Sequence, residues 1–261
     1  MRLHFHVNGE KTEAAAQRDA LSAEAARLGI AVVAEGRAAD VVVALGGDGT
    51  LLRAVHEYPG VPVLGFKLGG LGYLSSVGER DFAAALTALA AGRYRVSERR
   101  LLQVGGHAAL NDVVLTREMS GHSARLDLEA DGKLVTRYMA DGLIFATPTG
   151  STAYSLAAGG PVLMPDSRSF VVTPLNPHAL GVRPLVVSDA VSFTVTVRPR
   201  TAGNALRIGV YADGANVGAL GAGERVTISK SAASAQLVEL EGYDPYDVLA
   251  RKLGWSGSNV T

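Results

Sequence analysis

Several features that commonly support chemistry are absent from this sequence. It has no cysteine, which excludes disulfide bonds, thiolate nucleophiles and cysteine-ligated zinc or iron–sulfur sites. It has no net charge, with 25 basic and 25 acidic side chains, which argues against nucleic-acid binding through a broad basic face. No apolar run reaches the roughly 20 residues that span a bilayer. These absences still allow an anionic small molecule held by a local site.

The 261 residues suffice for one large domain or two small ones, each with a buried core. The start, Met-Arg-Leu-His, lacks the apolar core of a signal peptide. We therefore expect a cytoplasmic protein that binds neither a membrane nor a nucleic acid. His4, His6, His56 and His107 show no metal-ligand spacing with carboxylates, and we predict no direct protein ligands for a metal.

Glycine is what the chain has in excess. Its 31 glycines are about 12% of the residues, against a usual share of roughly 7%. Eight of them fall between residues 46 and 72, and four fall between 142 and 160. Clustering at two places favours binding loops over a disordered linker, in which the glycines would be spread along the chain.

Residues 1–95 alternate strand-like and helical segments, which predicts an α/β domain with a doubly wound, mostly parallel sheet. The predicted strands lie at 3–7, 30–33, 40–45 and 61–65, and the predicted helices lie at 11–28, 50–56 and 80–91. The apolar run at 40–45 is continuous, as expected of a strand that is covered on both faces.

From residue 96 the pattern changes to one strand after another, which predicts an all-β sandwich over 96–240. The predicted strands lie at 100–104, 108–116, 124–130, 133–140, 143–146, 190–198, 207–211 and 225–229, with one helix after Ser155. Apolar and polar residues alternate at 192–197, which is typical of a half-buried antiparallel strand. The last segment, 241–261, has a helical stretch at 245–253 that can return to the first domain.

The first glycine cluster contains Gly-Gly-Asp-Gly-Thr at 46–50, where a buried strand meets a helix. Glycines let backbone N–H groups approach a phosphate, and the helix N-terminus adds positive potential. The motif is neither a P-loop nor the dinucleotide fingerprint Gly-x-Gly-x-x-Gly. Asp48 would repel phosphate unless it accepts a proton from a hydroxyl nucleophile or holds a metal. The alternative is that Asp48 only caps the helix.

The motif at 46–50 resembles the signature shared by NAD kinases, diacylglycerol and sphingosine kinases and, more loosely, phosphofructokinases. Residues 65–74 look like the NAD kinase loop Gly-Ile-Asn-x-Gly-x-Leu-Gly-Phe-Leu, with Phe66 and Lys67 in place of Ile-Asn. The segment Asn111-Asp112-Val-Val resembles that family's Asn-Glu-Val-Val. An amide beside a carboxylate can hydrogen-bond an adenine edge and a ribose diol, although Asn-Asp is also a common turn.

The longest match is residues 140–161, which include Thr-Pro-Thr-Gly-Ser-Thr-Ala-Tyr-Ser at 147–155. They are similar almost residue for residue to the NAD kinase stretch, with Ala157 where many members carry Ser. The hydroxyl and N–H groups of such a turn suit a nucleotide, and Tyr154 can stack on a base. Residues 174–185, 211–214 and 252–255 resemble further family segments, so the resemblance runs from about residue 40 to the end.

By this resemblance the chain is identified as a member of the NAD kinase family, within the diacylglycerol kinase-like superfamily. It implies transfer of the γ-phosphoryl group of ATP, or of polyphosphate, to the 2′-hydroxyl of the adenosine ribose of NAD. Asp48 would be the general base, and Mg²⁺ or another divalent metal would accompany ATP. The donor phosphates would contact Gly46, Gly47, Gly49, Thr50 and Arg53. NAD would contact Asp48, Gly49, Asn111, Asp112, His122, Asp141, Thr152, Ala153, Tyr154, Ser155, Leu156 and Ala157.

In the family, Asp141 meets the nicotinamide end of NAD, and part of that pocket comes from a neighbouring subunit. The resemblance therefore implies a homo-oligomer, a dimer or a tetramer, built through the β domain.

Two alternatives remain open. A lipid kinase would share Gly-Gly-Asp-Gly-Thr, but residues 147–154 do not follow the lipid-kinase pattern and no basic amphipathic segment suits a membrane surface. A catalytically silent NADP(H)-binding module would keep the acceptor pocket without turnover, and the intact Asp48 argues against it.

Overall fold

The computed structural model describes residues 1–7, 12–68, 72–75, 77–118, 123–199 and 207–255, with residues 12–15 described by their backbone only. The chain forms two compact units. One consists of Met1–Glu98 with Ala235–Thr261, and the other of Arg99–Ser234. The domain boundaries predicted at 95 and 240 stay a prediction. In the described part of the chain, no helix is both long enough and apolar enough to cross a membrane.

The described residues form strands and helices in the following order. The strands are β1 (Arg2–Val7), β2 (Ala31–Val32), β3 (Val41–Leu45), β4 (Val63–Lys67), β5 (Val77–Gly78), β6 (Tyr94–Val104), β7 (His107–Ala109), β8 (Asp112–Arg117), β9 (Ala124–Ala130), β10 (Lys133–Ala140), β11 (Gly142–Ala146), β12 (Ser169–Leu175), β13 (Leu185–Ser188), β14 (Phe193–Arg198), β15 (Ile208–Ala212), β16 (Ala215–Leu220) and β17 (Arg225–Leu240). The helices are α1 (Thr12–Arg27), α2 (Asp48–Glu57), α3 (Phe82–Ala90), α4 (Tyr154–Ala157) and α5 (Pro245–Leu253). Three single 3₁₀ turns lie at Gly36–Ala38, Glu79–Asp81 and Gly150–Thr152.

The first unit is built on a parallel sheet. Its strands lie in the order β2, β1, β3, β4, and β5 pairs with β4 on the far side from β3. Leu237 of β17 also pairs with β4 in parallel, opposite Val63. Because all these strands run in one direction, β3 and β4 end at the same edge of the sheet. The segments that follow Leu45 and Lys67 therefore start side by side.

Helices cover both faces of this parallel sheet. Leu64 and Phe66 of β4 point into a core shared with α1 and α3, where the rings of Phe66 and Phe82 stack with centroids 4.4 Å apart. Gly65 faces the opposite way, and a Cβ on Gly65 would lie 2.9 Å from Cδ1 of Leu51 in α2. Helix α2 thus packs against β3 and β4 from the second face, and the predicted doubly wound domain is confirmed.

The second unit is an antiparallel sandwich, as predicted. One sheet has the order β13, β12, β11, β8, β15, β16, and the other contains β10, β9, β14 and the first part of β17. Every pair of neighbours in both sets is antiparallel. The core lies between them and includes Phe145 and Phe193, whose ring centroids are 5.2 Å apart. In β14, the alternation expected from the sequence is observed, with every second residue buried.

Some strands were missed or shortened in the sequence prediction. The sequence pattern does not predict β5, β12, β13 or β16. β6 starts at Tyr94 rather than at residue 100, and β17 continues to Leu240 rather than to residue 229. β12 (Ser-Phe-Val-Val-Thr-Pro-Leu) and β13 (Leu-Val-Val-Ser) do contain strand-forming residues, and the prediction overlooks them. Two other segments are rich in residues of low strand propensity: β16 reads Ala-Asn-Val-Gly-Ala-Leu, and the middle of β17 reads Lys-Ser-Ala-Ala-Ser-Ala-Gln. Pairing with β15 and other partners overrides that weak local preference.

Gly142 offers a test of the sandwich packing. A Cβ on Gly142 would lie 2.1 Å from the carbonyl oxygen of Leu115 on the neighbouring strand, so Gly142→Ala must separate β11 from β8. We expect the free energy of unfolding to fall by about 2 kcal/mol or more in urea titrations. The control is Gly181→Ala, where a Cβ meets no atom within 4 Å. Equal stability of the two variants would contradict this packing.

Candidate active site

The turn at residues 46–50 joins β3 to α2 at the carboxyl edge of the parallel sheet. Gly46 has a φ of +153°, and a Cβ there would lie 2.4 Å from Oγ1 of Thr50. Its N–H donates to the carbonyl of Phe66 at 2.8 Å, which ties the turn to the end of β4. α2 begins at Asp48, so the N–H groups of Asp48 and Gly49 have no intrahelical acceptor, whereas that of Thr50 donates to the carbonyl of Gly47 at 2.9 Å.

Asp48 does not cap its own helix. The N-cap residue is Gly47, and no side chain makes a cap hydrogen bond there. The carboxylate instead accepts three N–H bonds from a remote loop: Oδ2 from Tyr73 at 3.0 Å, and Oδ1 from Leu74 at 3.3 Å and Ser75 at 2.9 Å. A carboxylate has about four acceptor positions, so one remains for a ligand hydroxyl.

The second glycine loop fits closely around this carboxylate. A Cβ on Gly72 would lie 2.2 Å from Oδ1 of Asp48, so only glycine allows this approach. Burial raises the pKa of the Tyr73 phenol, and the negative charge of Asp48 raises it further. Lys67, the last residue of β4, brings its Nζ to within 3.1 Å of where a Cβ of Gly47 would lie. Residues 69–71 of this loop lie outside the described residues.

In the second unit, one aspartate holds the turn that precedes β8. The carboxylate of Asp213 accepts N–H bonds from Leu110 at 2.7 Å, Asn111 at 2.7 Å and Asp112 at 3.1 Å. Asp213 has a φ of +46°, and its own N–H donates to the carbonyl of Asp112 at 3.0 Å. The turn is therefore held by four hydrogen bonds to a single residue.

Asn111 and Asp112 present two unusual polar groups in that turn. Oδ1 of Asn111 is buried and has no hydrogen-bond partner among the described residues. Asp112 is only 6% exposed, and its burial, together with the neighbouring charge of Asp213, raises the pKa of its carboxyl to about 7. A buried acceptor without a donor costs free energy unless a ligand supplies one.

The hydroxyl-rich turn after β11 is hydrogen-bonded to the turn at residues 110–112. The N–H of Thr147 donates to the carbonyl of Asn111 at 2.9 Å, and its hydroxyl donates to the carbonyl of Leu110. A Cβ on Gly150 would lie 1.9 Å from the backbone carbonyl oxygen of Asn111, so glycine is required at this contact. The segments at 110–112, 147–150 and 213 thus form one cluster, although they are far apart in sequence.

The residues that follow differ in what they offer a ligand. Ser151 is buried and serves the turn, accepting from the N–H of Leu163 and donating to the carbonyl of Pro148. Ser155 is also buried, with its Oγ 2.8 Å from Oγ1 of Thr173. Tyr154 begins α4 with 49% of the residue exposed, which leaves the ring accessible to a stacking partner.

Asp141 is separate from this cluster. It precedes β11, whereas Thr147 follows it, so the five residues of the strand, about 17 Å at roughly 3.3 Å each, lie between them. The carboxylate pairs with Arg117 at 3.0 Å and accepts from Nδ2 of Asn176 at 3.0 Å. The structure therefore does not bring Asp141 together with Asn111 and Asp112 within the second unit.

Comparisons with known proteins agree with this geometry. The model of the ATP-NAD kinase N-terminal domain matches residues 6–94, and that of the ATP-NAD kinase C-terminal domain matches residues 110–240. An NAD kinase of Symbiobacterium thermophilum is 40% identical over 225 residues, covering 82% of this chain and 78% of its own. An NAD kinase of Bordetella pertussis is 38% identical over 234 residues, covering 85% of this chain and 77% of its own.

The chain belongs to the NAD kinase family.

Two solved structures extend the agreement to the fold. A crystal structure of an NAD kinase from Archaeoglobus fulgidus in complex with ATP superimposes with a TM-score of 0.81 at 26% identity, covering 98% of this chain and 100% of that one. A yeast NADH kinase complexed with NADH gives a TM-score of 0.83 at 24% identity, covering 100% and 90%. The second likeness concerns the fold alone.

All but one of the residues predicted from the NAD kinase resemblance lie within the described part of the chain. Gly46, Gly47, Asp48, Gly49 and Thr50 lie together in the first unit. Arg53 is exposed on α2, one turn after Asp48. His122 lies outside the described residues, and its assignment to NAD stays a prediction. Among the described residues, no three His, Asp or Glu side chains are grouped so that they could bind a metal.

Sequence reasoning missed the parts played by Asp213 and by the loop at 72–75. Residues 211–214 resemble a turn of the family, and nothing in their spacing indicates that the carboxylate bonds to N–H groups about 100 residues earlier. A weak signal existed in both places. An Asp-Gly turn stands at 213–214, and Gly72 stands directly before the residues whose N–H groups donate to Asp48.

The raised pKa of Asp112 predicts how stability depends on pH. Because the pKa is about 7 in the folded state and near 4 when unfolded, the folded state binds the proton more tightly. The contribution of Asp112 to the free energy of unfolding is fully present below about pH 4. It is lost as the pH rises from about 4 through 7, by up to about 4 kcal/mol.

Asp112→Asn should remove that loss. We expect the variant to be more stable than the wild type at pH 8 in urea titrations, with little difference at pH 4. A matched control is Asp131→Asn, since Asp131 makes the same change of side chain at an exposed position on the β9–β10 turn. If Asp112→Asn tracks the wild type at every pH, the carboxyl is not buried in the way described.

Proposed function

We propose that this chain is an NAD kinase that transfers the γ-phosphoryl group of ATP to the 2′-hydroxyl of the adenosine ribose of NAD, giving NADP and ADP. Polyphosphate is a second candidate donor. In the reaction the oxygen of the hydroxyl forms a bond to phosphorus, the bond from the γ-phosphorus to the bridging oxygen breaks, and the hydroxyl proton is released. Family membership together with the carboxylate of Asp48 in the turn at 46–50 supports this reaction.

We assign the proton to Asp48. A ribose hydroxyl is far from ionisation at neutral pH and gains from a base that accepts its proton as the bond to phosphorus forms. Three of the acceptor positions of Asp48 are used by the N–H groups of residues 73–75, which fix the carboxylate in place. One position is left for the hydroxyl.

We assign the donor phosphates to the turn at 46–50. Gly46, Gly47 and Gly49 have no side chain to keep a phosphate away, and the N-terminus of α2 contributes positive potential. Thr50 and Arg53 complete the predicted set. Mg²⁺ or another divalent cation would enter with ATP, held by its phosphates and by water, because the remaining acceptor position of Asp48 is assigned to the hydroxyl. Bound there, the ion neutralises charge on the transferring group.

We assign the adenosine part of NAD to the cluster at 110–112 and 147–157. The unpartnered Oδ1 of Asn111 can accept from the adenine amino group, and the carboxyl of Asp112 is a partner for the ribose diol. The exposed ring of Tyr154 can stack on the base. Thr152, Ala153, Ser155, Leu156 and Ala157 would contribute mainly backbone, because Ser155 already bonds to Thr173.

We also propose that the chain is a homo-oligomer. If Asp141 meets the nicotinamide end of NAD as in the family, its separation from Thr147 by the whole length of β11, about 20 Å at roughly 3.3 Å per residue, supports delivery of that residue from a neighbouring subunit. We propose a dimer or tetramer built through the sandwich unit, working in the cytoplasm, with domains at 1–95 and 96–240 and a terminal segment at 241–261. Gel filtration with light scattering would measure the assembly.

The test of the function is direct. The purified chain is incubated with NAD or NADH, with ATP or polyphosphate, and with Mg²⁺, and NADP(H) is measured by chromatography. We expect NADP from NAD and ATP. Calorimetric binding of NAD without any NADP under these conditions would support a silent binding module and overturn the kinase assignment.

Asp48→Asn tests the proposed base. Asparagine keeps one acceptor oxygen for the loop at 73–75 but cannot take the hydroxyl proton, so we expect the rate to fall by about 100-fold or more. The affinity for NAD, measured by calorimetry, should stay within a few-fold of the wild type.

The matched control for that variant is Asp81→Asn, at the N-cap of α3, where the carboxylate makes no cap hydrogen bond. Its rate and melting temperature should equal those of the wild type. Full activity of Asp48→Asn would remove Asp48 from its role as base.

A further inference from the structure

Lys67 is where this chain departs from the family loop that it resembles, which carries asparagine at this place. It is the last residue of β4, at the sheet edge where β3 also ends, and it is half-buried. Its Nζ lies 3.1 Å from the position that a Cβ of Gly47 would occupy. The ammonium group therefore occupies the space next to Gly47 that a side chain at position 47 would fill if the residue there were not glycine.

This is an unfavourable place for a cation by itself. The N-terminus of α2 carries partial positive charge, and a lysine beside such a terminus is destabilising. Among the described residues, Lys67 has no ion-pair or hydrogen-bond partner to offset that cost. The nearest acidic group in the turn, Asp48, directs its carboxylate to the N–H groups of residues 73–75.

A bound anion would reverse this balance. A phosphate on the turn at 46–50 would accept from the N–H groups of α2 and pair with the ammonium of Lys67 at once. A lysine is a compact point charge with three donors, and it contacts a flexible phosphate chain without needing one fixed geometry. Lysine in place of the family asparagine thus supplies a positive charge, which is the sign that a phosphate chain requires.

We propose that Lys67 binds the phosphate chain of the phosphoryl donor beside Gly47, as an additional donor-binding residue of this chain. The inference rests on the proposed function, in which that turn holds the donor. It makes donor binding more dependent on ionic strength than binding by a neutral amide, because salt screens the added charge. It applies equally to ATP and to inorganic polyphosphate, since the contact is to phosphate.

The variants Lys67→Met, Lys67→Asn and Lys67→Arg test this contact. Calorimetry with MgATP should show a dissociation constant raised about 10-fold or more for the Met and Asn variants and restored to within about threefold by Arg. In steady-state assays the KM for ATP should rise while the KM for NAD stays within about twofold. The ratio of ATP affinity at low salt to that at high salt should shrink for Lys67→Met.

Stability separates binding from a structural role. Without ATP, Lys67→Met should melt at the same temperature as the wild type or higher, because a cation is removed from a positive helix end. A fall in its melting temperature, or equal rises in the KM for ATP and for NAD, would overturn the proposal. The matched control is Lys133→Met on the β9–β10 hairpin, which should leave every constant unchanged.

The two proposals can fail independently. If the wild type forms no NADP, the proposed function fails, and the calorimetric comparison of wild type with Lys67→Met still decides whether Lys67 binds the phosphate chain. If the wild type forms NADP and Lys67→Met binds MgATP as tightly, the function stands and the role of Lys67 is wrong.

Discussion

In each unit, one aspartate carboxylate accepts N–H bonds from a loop that is remote in sequence, and the candidate site depends on that interaction. Asp48 holds residues 73–75, and Asp213 holds residues 110–112. Hydrogen bonds to a charged acceptor are shorter and stronger than neutral ones, so each carboxylate fixes several backbone groups at once. Residues 73–75, 110 and 111 belong to no strand, so these bonds do much to place them.

Each of the two turns also has a close approach that requires glycine. A Cβ at Gly72 would collide with the carboxylate of Asp48, and a Cβ at Gly150 would collide with the backbone carbonyl oxygen of Asn111. Each glycine makes folding less favourable, because glycine loses more conformational entropy on folding than any other residue. Its excess here is therefore explained by close approach at the sites as much as by turns: many of the other glycines have positive φ and face open space.

Much of this could be predicted from the sequence. The alternation of strands and helices gave the α/β unit, the succession of short strands gave the sandwich, and the motif at 46–50 located Asp48 at a strand end. The partners of Asp48 and Asp213 could not be predicted, because they depend on which strand ends become neighbours in the sheets. The same holds for the raised pKa of Asp112, which arises from burial and from a carboxylate about 100 residues away.

The lack of net charge is consistent with a site that recognises phosphate locally. A chain with a broad positive field would attract every polyanion, whereas in this one the positive potential at the turn comes from local groups: the N-terminus of α2, the ammonium of Lys67 and the guanidinium of Arg53. The hydrogen bonds that N–H groups donate are short-ranged and directional, and salt screens the side-chain charges beyond about 10 Å. Recognition of a phosphate must then come from fitting it into the turn, and that fit depends on Asp48 and Gly72 keeping the two glycine loops together.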